Sequence, residues 1–442
     1  VRRELRHPAR LVPLAFLAVI VAGTVLLMLP VSATDQPASF VTALFTATSA
    51  TCVTGLAVVD TQAHWSTFGH VVIMMLIQAG GFGIMTLASL LGLLVNRRLG
   101  LRSRLVAQAE THSLVLGDVR RLLLWVGMVM LTVEAIVAAI LTVRFRLAYY
   151  DGLGEALWQA VFHAVSAFNN AGFSLYSANL TGFVSDGWIC LPIAVAFMLG
   201  GLGFPVLYEL RRGWRRPAHW SVHVKLTLLG SAVLVVTGWV AYLLLEWTNS
   251  KSLGALDVSG KVLASFFQGV SPRTAGFNSL DYAALRPETL ALTDVLMFIG
   301  GGSAGTAGGI KVTTFFLLAF VILAEIRGDP EVTLFRRQLA ASVQRLALTV
   351  ALLGVGVVAA GTFALLLLTD HPFDAVLFES ISAFATVGLS MGVTTDLNHW
   401  AQLVLVILMF VGRVGTITVA TALALRERRR LYRLPEERLI VG

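Results

Sequence analysis

Four short stretches of this 442-residue chain carry a glycine in the same setting: "SATCVTGL" (49–56), "SAFNNAGF" (166–173), "VSPRTAGF" (270–277) and "SAFATVGL" (382–389). The glycines, Gly55, Gly172, Gly276 and Gly388, recur at intervals of 117, 104 and 112 residues, and Leu or Phe follows each. None of the stretches sets a nucleophile beside a base, pairs two carboxylates or spaces side chains as metal ligands. What they offer is main-chain oxygen. Glycine accepts backbone angles that a β-carbon disfavours, so a strand running through it can turn its carbonyls to one side. Four such strands around one axis would line a pore with rings of oxygen, and such rings can replace the hydration shell of a monovalent cation. The first stretch lies in a hydroxyl-rich run with Thr46, Thr48, Ser49, Thr51 and Thr54, whose hydroxyls are expected to hydrogen-bond backbone beyond the reach of bulk water. The third copy breaks the serine pattern: Val270 stands at the matching place and Ser271 one residue later.

Other residues invite chemistry less directly. "GGGSAGTAGGIK" (300–311) resembles a phosphate-binding loop only loosely, because Ile310 separates Gly309 from Lys311 and the pattern needs Gly-Lys followed by Ser or Thr. Its six glycines each cost about 1 kcal/mol of helix stability relative to alanine, so the run is expected to unwind midway through an apolar segment. The alternative is a seam of small residues between closely packed helices. Arg413 falls near the middle of another apolar run, roughly 18 Å from either end, which makes it a functional candidate by default. Glu134 is one possible partner. Glu379 and His163 are read as structural hydrogen-bonding groups, and Asp35, Asp60, Asp186 and Asp396 as outer-side carboxylates. Cys52 and Cys190 supply neither a disulfide framework nor metal-ligand spacing.

The elements that would position these residues are apolar. The chain is 57% hydrophobic and 13% charged, with a mean hydropathy of +0.80, so most of it is expected in lipid. Runs long enough to cross a bilayer lie near 11–29, 70–95, 122–143, 188–208, 226–247, 290–325, 346–369 and 401–425. The first is read as a span rather than a signal peptide. Of 33 lysines and arginines, 25 fall in 1–10, 97–121, 211–225, 327–345 and 426–438. Arg144, Arg146, Lys251, Lys261, Arg273 and Arg286 lie in the alternate connections, and Lys311 and Arg413 at membrane depth. The positive-inside rule then puts both termini in the cytoplasm and turns the +8 net charge into a statement about topology, with no nucleic-acid partner implied.

Each glycine stretch therefore sits between an outward and an inward span, at the end of a short apolar half-helix, and must dip into the membrane and return. Fixed-period self-similarity of this kind defines the architecture. The expected fold is an all-α membrane protein of four tandem span–half-helix–span units, with eight transmembrane helices and four re-entrant loops around a pseudo-fourfold central pore. The units are 1–110, 111–215, 216–335 (carrying 300–311) and 336–430, with a C-terminal tail over 431–442.

At "TATSATCVTGLAVVDT", "SAFNNAGFSL", "SPRTAGFNS" with "GGGSAGTAGGIK", "SAFATVGLSMG" with "GRVGTIT", and "LPEERLIVG" the chain resembles the Trk/Ktr/HKT superfamily of potassium transporters, most closely its KtrB branch. A start at the first repeat, without the two extra N-terminal helices of TrkH subunits, favours that branch. The resemblance implies a potassium selectivity filter made by carbonyls of Val53, Thr54 and Gly55; Asn170, Ala171 and Gly172; Thr274, Ala275 and Gly276; and Thr386, Val387 and Gly388. Glycine at all four places implies potassium over sodium, and Cys52 departs from the small or hydroxyl residue of many relatives. The resemblance also names Gly300, Gly301, Gly302, Ser303, Ala304, Gly305, Thr306, Ala307, Gly308 and Gly309, with Lys311 and Arg413, as an intramembrane gate. Arg413 then has two candidate roles, a charge barrier to cations or a clamp on the loop's carbonyls. Inward potassium flux across a bacterial cell membrane is implied, with sodium a candidate coupling ion and no cofactor or structural metal in the chain. So are a homodimer, with "EERLIVG" at the subunit contact, and a separate KtrA-like nucleotide-binding ring docked on the basic cytoplasmic face. An enzyme or energised pump lacks its carboxylate cluster, metal ligands or nucleotide site here. A secondary transporter of another cation or small organic solute would place broken helices similarly, but predicts paired inverted units.

Overall fold

The computed structural model describes residues 8–98 and 116–415. Apart from a small antiparallel hairpin, β1 (Thr333–Leu334) with β2 (Arg337–Gln338), and an isolated bridge between Ala33 and Trp65, the regular structure described is helical. Around the first glycine stretch lie α1 (Pro8–Leu27), α2 (Phe40–Thr51), the single turn α3 (Thr61–His64) and α4 (Thr67–Arg98). The second has α5 (Leu116–Ala148), α6 (Leu153–Phe168) and α7 (Gly187–Leu202), with α8 (Phe204–Gly213) following. The third has α9 (Val222–Glu246), α10 (Val258–Val270), α11 (Pro287–Ile299) and α12 (Val312–Arg327). The fourth has α13 (Ala341–Leu368), α14 (Phe373–Ala385) and α15 (His399–Phe410), which runs into a π-turn over Val411–Gly415.

Packing follows one rule. The short helices α2, α6 and α14 are each held by both long neighbours of their group, and α10 by α9. Between groups, α4 packs on α6, α7 on α10, α11 on α14, and α15 returns to α2. Each group thus leans on the short helix of the next, and the last leans on the first. Small side chains make these approaches possible: Ala43, Ala47 and Ala50 of α2 and Ala156, Ala160, Ala164 and Ala167 of α6 are all buried. Leucines and valines turn outward instead, Leu131 and Leu352 among them.

Among the described residues, Leu123–Ala148, Val222–Glu246 and Ala341–Leu368 are long and apolar enough to cross a membrane. α7 and α8 make a fourth only as a pair bent by 95°. The straight span expected near 188–208 is therefore broken, at Gly203 with φ +92°. Pro13–Leu27, Phe40–Thr51, Thr67–Gly83 and His399–Gly415 are shorter apolar helices. The long run near 290–325 is two helices, α11 and α12, separated by the non-helical glycine-rich segment.

Candidate functional site

The site begins where the short helices end. Ser39 caps α2 by accepting from the Thr42 N–H (3.2 Å), and Asp257 caps α10 by accepting from that of Gly260 (3.1 Å). Glu155 and Asp374 lie in the first turns of α6 and α14, where negative charge suits the helix dipole. At the other end α2, α6 and α14 stop in the same Schellman-type bond pair. Thr54, Ala171 and Val387 donate their N–H groups to the carbonyls of Ser49, Ser166 and Ser382, all at 2.8 Å. Val53, Asn170 and Thr386 donate to Ala50, Ala167 and Ala383. Those three residues take positive φ, 57°, 59° and 50°, as does Thr274 of the third stretch at 71°. A non-glycine residue there costs about 1–3 kcal/mol. Gly55, Gly172, Gly276 and Gly388 follow two residues later, again at positive φ (93°, 69°, 74° and 94°).

These four left-handed pairs meet. A β-carbon at Gly55 would stand 2.3 Å from the Ala171 carbonyl oxygen, and one at Gly172 would stand 3.0 Å from that of Ala275. At Gly276 it would be 2.3 Å from the Val387 oxygen, and at Gly388 2.0 Å from the Thr54 oxygen. Each glycine therefore backs onto the carbonyl before the next stretch's glycine, in the order first, second, third, fourth and back to first. Thr54, Ala171, Ala275 and Val387 present main-chain oxygens to one small space. The hydroxyls of Thr54, Thr274 and Thr386 are buried without a protein hydrogen-bond partner. Main-chain oxygen is the kind of lining that can replace a cation's hydration shell.

Serine, not threonine, secures the backbone. Ser49 Oγ accepts from the Gly55 N–H (3.1 Å) and donates to the Leu56 carbonyl (2.7 Å). Ser166 donates to the Phe173 carbonyl (2.7 Å), Ser271 to that of Phe277, and Ser382 accepts from the Gly388 N–H (3.1 Å). Ser271 thus reaches the residue after its glycine from one place later, so the third copy keeps the bond its sequence seemed to lose. The hydroxyls of Thr48, Thr51 and Thr54 have no such partners, contrary to the expectation that they would bond backbone.

Residues 300–311 lie against the base of the ring. Helix ends leave orphan amides and carbonyls, and here two breaks satisfy each other. Gly302 donates to the Gly201 carbonyl (2.7 Å), Thr306 to that of Gly200 (3.1 Å), and Phe204 to that of Ala304 (3.2 Å). Thr306 Oγ1 donates to Asn170 Oδ1 at 2.7 Å and lies 3.3 Å from the Phe168 carbonyl oxygen. A β-carbon at Gly308 would be 2.1 Å from the Ala385 oxygen, so the segment touches the ends of α6 and α14 together. Buried Arg413 donates through Nη1 to the Thr306 carbonyl, and Lys311 through Nζ to the Gly308 carbonyl (3.2 Å) and to that of Ala307.

Some expected placements are corrected. Glu134 does not pair with Arg413; it accepts from Gln78 Nε2 and Asn169 Nδ2, both at 3.1 Å. Arg273, counted with the outer charges because of its place between spans, is buried within the third stretch. Its guanidinium donates to Ser231 Oγ of α9 at 2.9 Å and to that residue's carbonyl at 3.3 Å. His163 and Glu379 are buried hydrogen-bonding groups, to the Gln159 carbonyl and Ser174 and to Ser390 and Thr394. Asp186 is tied to Arg144 (2.8 Å) and Tyr149, and Asp60 caps α3.

A second glycine series escaped the sequence reading. β-carbons at Gly80, Gly200 and Gly412 would lie 2.0, 1.9 and 1.7 Å from the carbonyl oxygens of Thr51, Phe168 and Phe384. Glycine there lets a long helix close on the end of a short one. The signal was present: "GGFG" (80–83), "GGLG" (200–203), "GGGS" (300–303) and "GRVG" (412–415) each begin 24 to 28 residues after a ring glycine.

The four glycine stretches gather main-chain oxygens beyond the ends of short apolar helices, and the class of protein follows from the family. The cation transport protein family of TrkH matches residues 2–216 and again 217–431, and the chain belongs to it. It is therefore a multi-pass membrane transport protein and not an enzyme. The chain is 41% identical to the Ktr system potassium uptake protein B of Bacillus subtilis, over 98% of this chain and 97% of that one. It is 33% identical to the potassium/sodium uptake protein NtpJ of Enterococcus hirae, covering 100% of this chain and 98% of that one. The crystal structure of the potassium transporter TrkH from Vibrio parahaemolyticus shares the fold, with a TM-score of 0.75 and 19% identity over 94% of this chain and 84% of that one.

Proposed function

We propose that this chain is a potassium-selective uptake protein in which four span–half-helix–span units surround one pseudo-fourfold pore. Eight spans cross a bacterial cell membrane and both termini lie in the cytoplasm. The ion is held by carbonyls of Val53 to Gly55, Asn170 to Gly172, Thr274 to Gly276 and Thr386 to Gly388. One observation carries this reading: the four glycines abut one another's carbonyls in cyclic order, as a single coordination site built from four repeats requires. The names of the Bacillus subtilis and Enterococcus hirae relatives favour potassium, and the second keeps sodium as a candidate coupling ion.

Residues 300–311 act as the gate, clamped in the closed position by Arg413 on the Thr306 carbonyl and by Lys311 on those of Ala307 and Gly308. The relatives' designation as parts of a Ktr system supports a separate regulatory subunit, here a nucleotide-binding ring on the basic cytoplasmic face. The protein works as a homodimer, with the tail over 431–442 at the contact; that tail lies outside the described residues. Flux of potassium, rubidium and sodium into proteoliposomes tests the reading. Potassium and rubidium should pass and sodium should lag; equal passage of all three would overturn the filter assignment.

A further inference from the structure

α8 leaves α7 at 95°. On the reading just given, on which this inference rests, α7 crosses the membrane and Gly203 marks its cytoplasmic end. A helix perpendicular to a span at that point lies along the membrane surface. Its composition suits that place. Phe204 and Val206 are buried, and Phe204 and Tyr208 pack edge-on against Trp125 at 4.9 and 5.4 Å between ring centroids. Arg211, Arg212, Arg215 and Arg216 are exposed, and Trp214 is 66% exposed.

Among the described residues none of the four arginines forms an ion pair. The one carboxylate of this segment, Glu209, is occupied in accepting from the backbone and hydroxyl of Ser221. Three of the four guanidinium groups lean on aromatic faces: Arg211 over Trp125 at 5.8 Å, Arg212 over Tyr208 at 5.7 Å, with its Nη1 also 3.5 Å from the Tyr208 hydroxyl, and Arg215 over Trp214 at 5.0 Å. Stacked guanidinium keeps its N–H edge free for bidentate bonds to phosphate. An exposed tryptophan beside arginines on a surface helix is the composition of the lipid headgroup layer. We propose that the Arg211–Arg216 segment, the last turn of α8 and the residues that follow it, binds the headgroups of anionic phospholipid in the cytoplasmic leaflet. The other end of α8 is bonded to the gating loop, through the Phe204 N–H on the Ala304 carbonyl. Headgroups bound to α8 in this position therefore favour the loop as it stands, and anionic lipid slows conduction.

The test uses the full chain without any regulatory subunit. Native mass spectrometry in mixed micelles should show phosphatidylglycerol retained over phosphatidylcholine. Each basic residue near an anionic surface is worth about fivefold in partition, so replacing all four arginines by glutamine should cut that preference at least tenfold. The four-lysine companion preserves the charge that sets topology and should keep most of the preference. Two readouts need no change at the arginines. The fluorescence lost in Trp214→Phe should be quenched in the parent protein by brominated phosphatidylglycerol, and rubidium flux should fall as the phosphatidylglycerol fraction rises. Equal retention of both lipids, an undiminished preference in the glutamine variant, or displacement of lipid by inorganic phosphate would overturn the proposal. So would quenching of Trp214 by aqueous iodide alone, which would leave α8 in water and open to a protein partner. Potassium selectivity measured in the same vesicles tells failure of the lipid site apart from failure of the transport reading.

Discussion

Arg413 offers the sharpest perturbation. Its Nη1 donates to the Thr306 carbonyl, while the Thr306 hydroxyl bonds Asn170 and lies 3.3 Å from the Phe168 carbonyl oxygen, so one residue of the loop is held from both sides. A buried hydrogen bond from a charged group contributes about 1.5–3 kcal/mol. Losing it should multiply the open-to-closed ratio of the loop by about 10 to 150, at ~1.4 kcal/mol per tenfold. Arg413→Gln removes charge and reach together; Arg413→Lys keeps the charge and gives up the planar fork. With the clamp acting, rubidium flux into proteoliposomes should rise strongly in the glutamine variant and to an intermediate level in the lysine variant. A rise in the glutamine variant alone would assign the effect to a charge barrier, for which a unit charge about 8 Å from the ion contributes roughly 2 kcal/mol at an effective dielectric near 20. Wild-type flux in both, from protein that inserts and elutes normally, would refute both roles.

Three further outcomes are expected. Gly55→Ser puts a β-carbon 2.3 Å from the Ala171 oxygen, at φ +93°, and should reduce potassium-over-sodium discrimination about tenfold, equivalent to ~1.4 kcal/mol, in a protein that still folds; unchanged reversal potentials under bi-ionic conditions would contradict this. Deleting residues within 300–309 should raise flux with selectivity intact, because the loop touches the ends of the short helices but supplies no ring carbonyl; unchanged flux would return the segment to a packing seam. Ser166→Ala leaves the Phe173 carbonyl unpartnered in a buried place, which should cost about 1–3 kcal/mol and show as a lower melting temperature in detergent together with weaker ion discrimination.

The repeat was legible because it rests on residue type at fixed place. A glycine two positions after the left-handed residue that follows each short helix, and a serine five or six before that glycine, are constraints of backbone geometry and survive in the letters. The unwinding of 300–311 was legible for the same reason. What each residue touches across the repeats was not. Glu134 and Arg413 each fall mid-run in the sequence, yet Glu134 belongs to Gln78 and Asn169, and only the packing of α4 on α6 decides that. Arg273 was counted only by its connection, and charge counting does not reveal that it is buried in the third glycine stretch and taken up by Ser231. The bend at Gly203 stayed hidden in an unbroken apolar run, since glycine permits a break without announcing one and the carbonyl that meets Phe204 lies about a hundred residues away.

The central claim is that the four glycine stretches form one carbonyl ring that selects potassium. Reversal potentials across a bilayer holding the purified chain, with potassium on one side and sodium on the other, test it most directly. Potassium should be preferred by at least about tenfold, the equivalent of ~1.4 kcal/mol, with rubidium close to potassium. A reversal potential near zero for potassium against sodium would contradict the account.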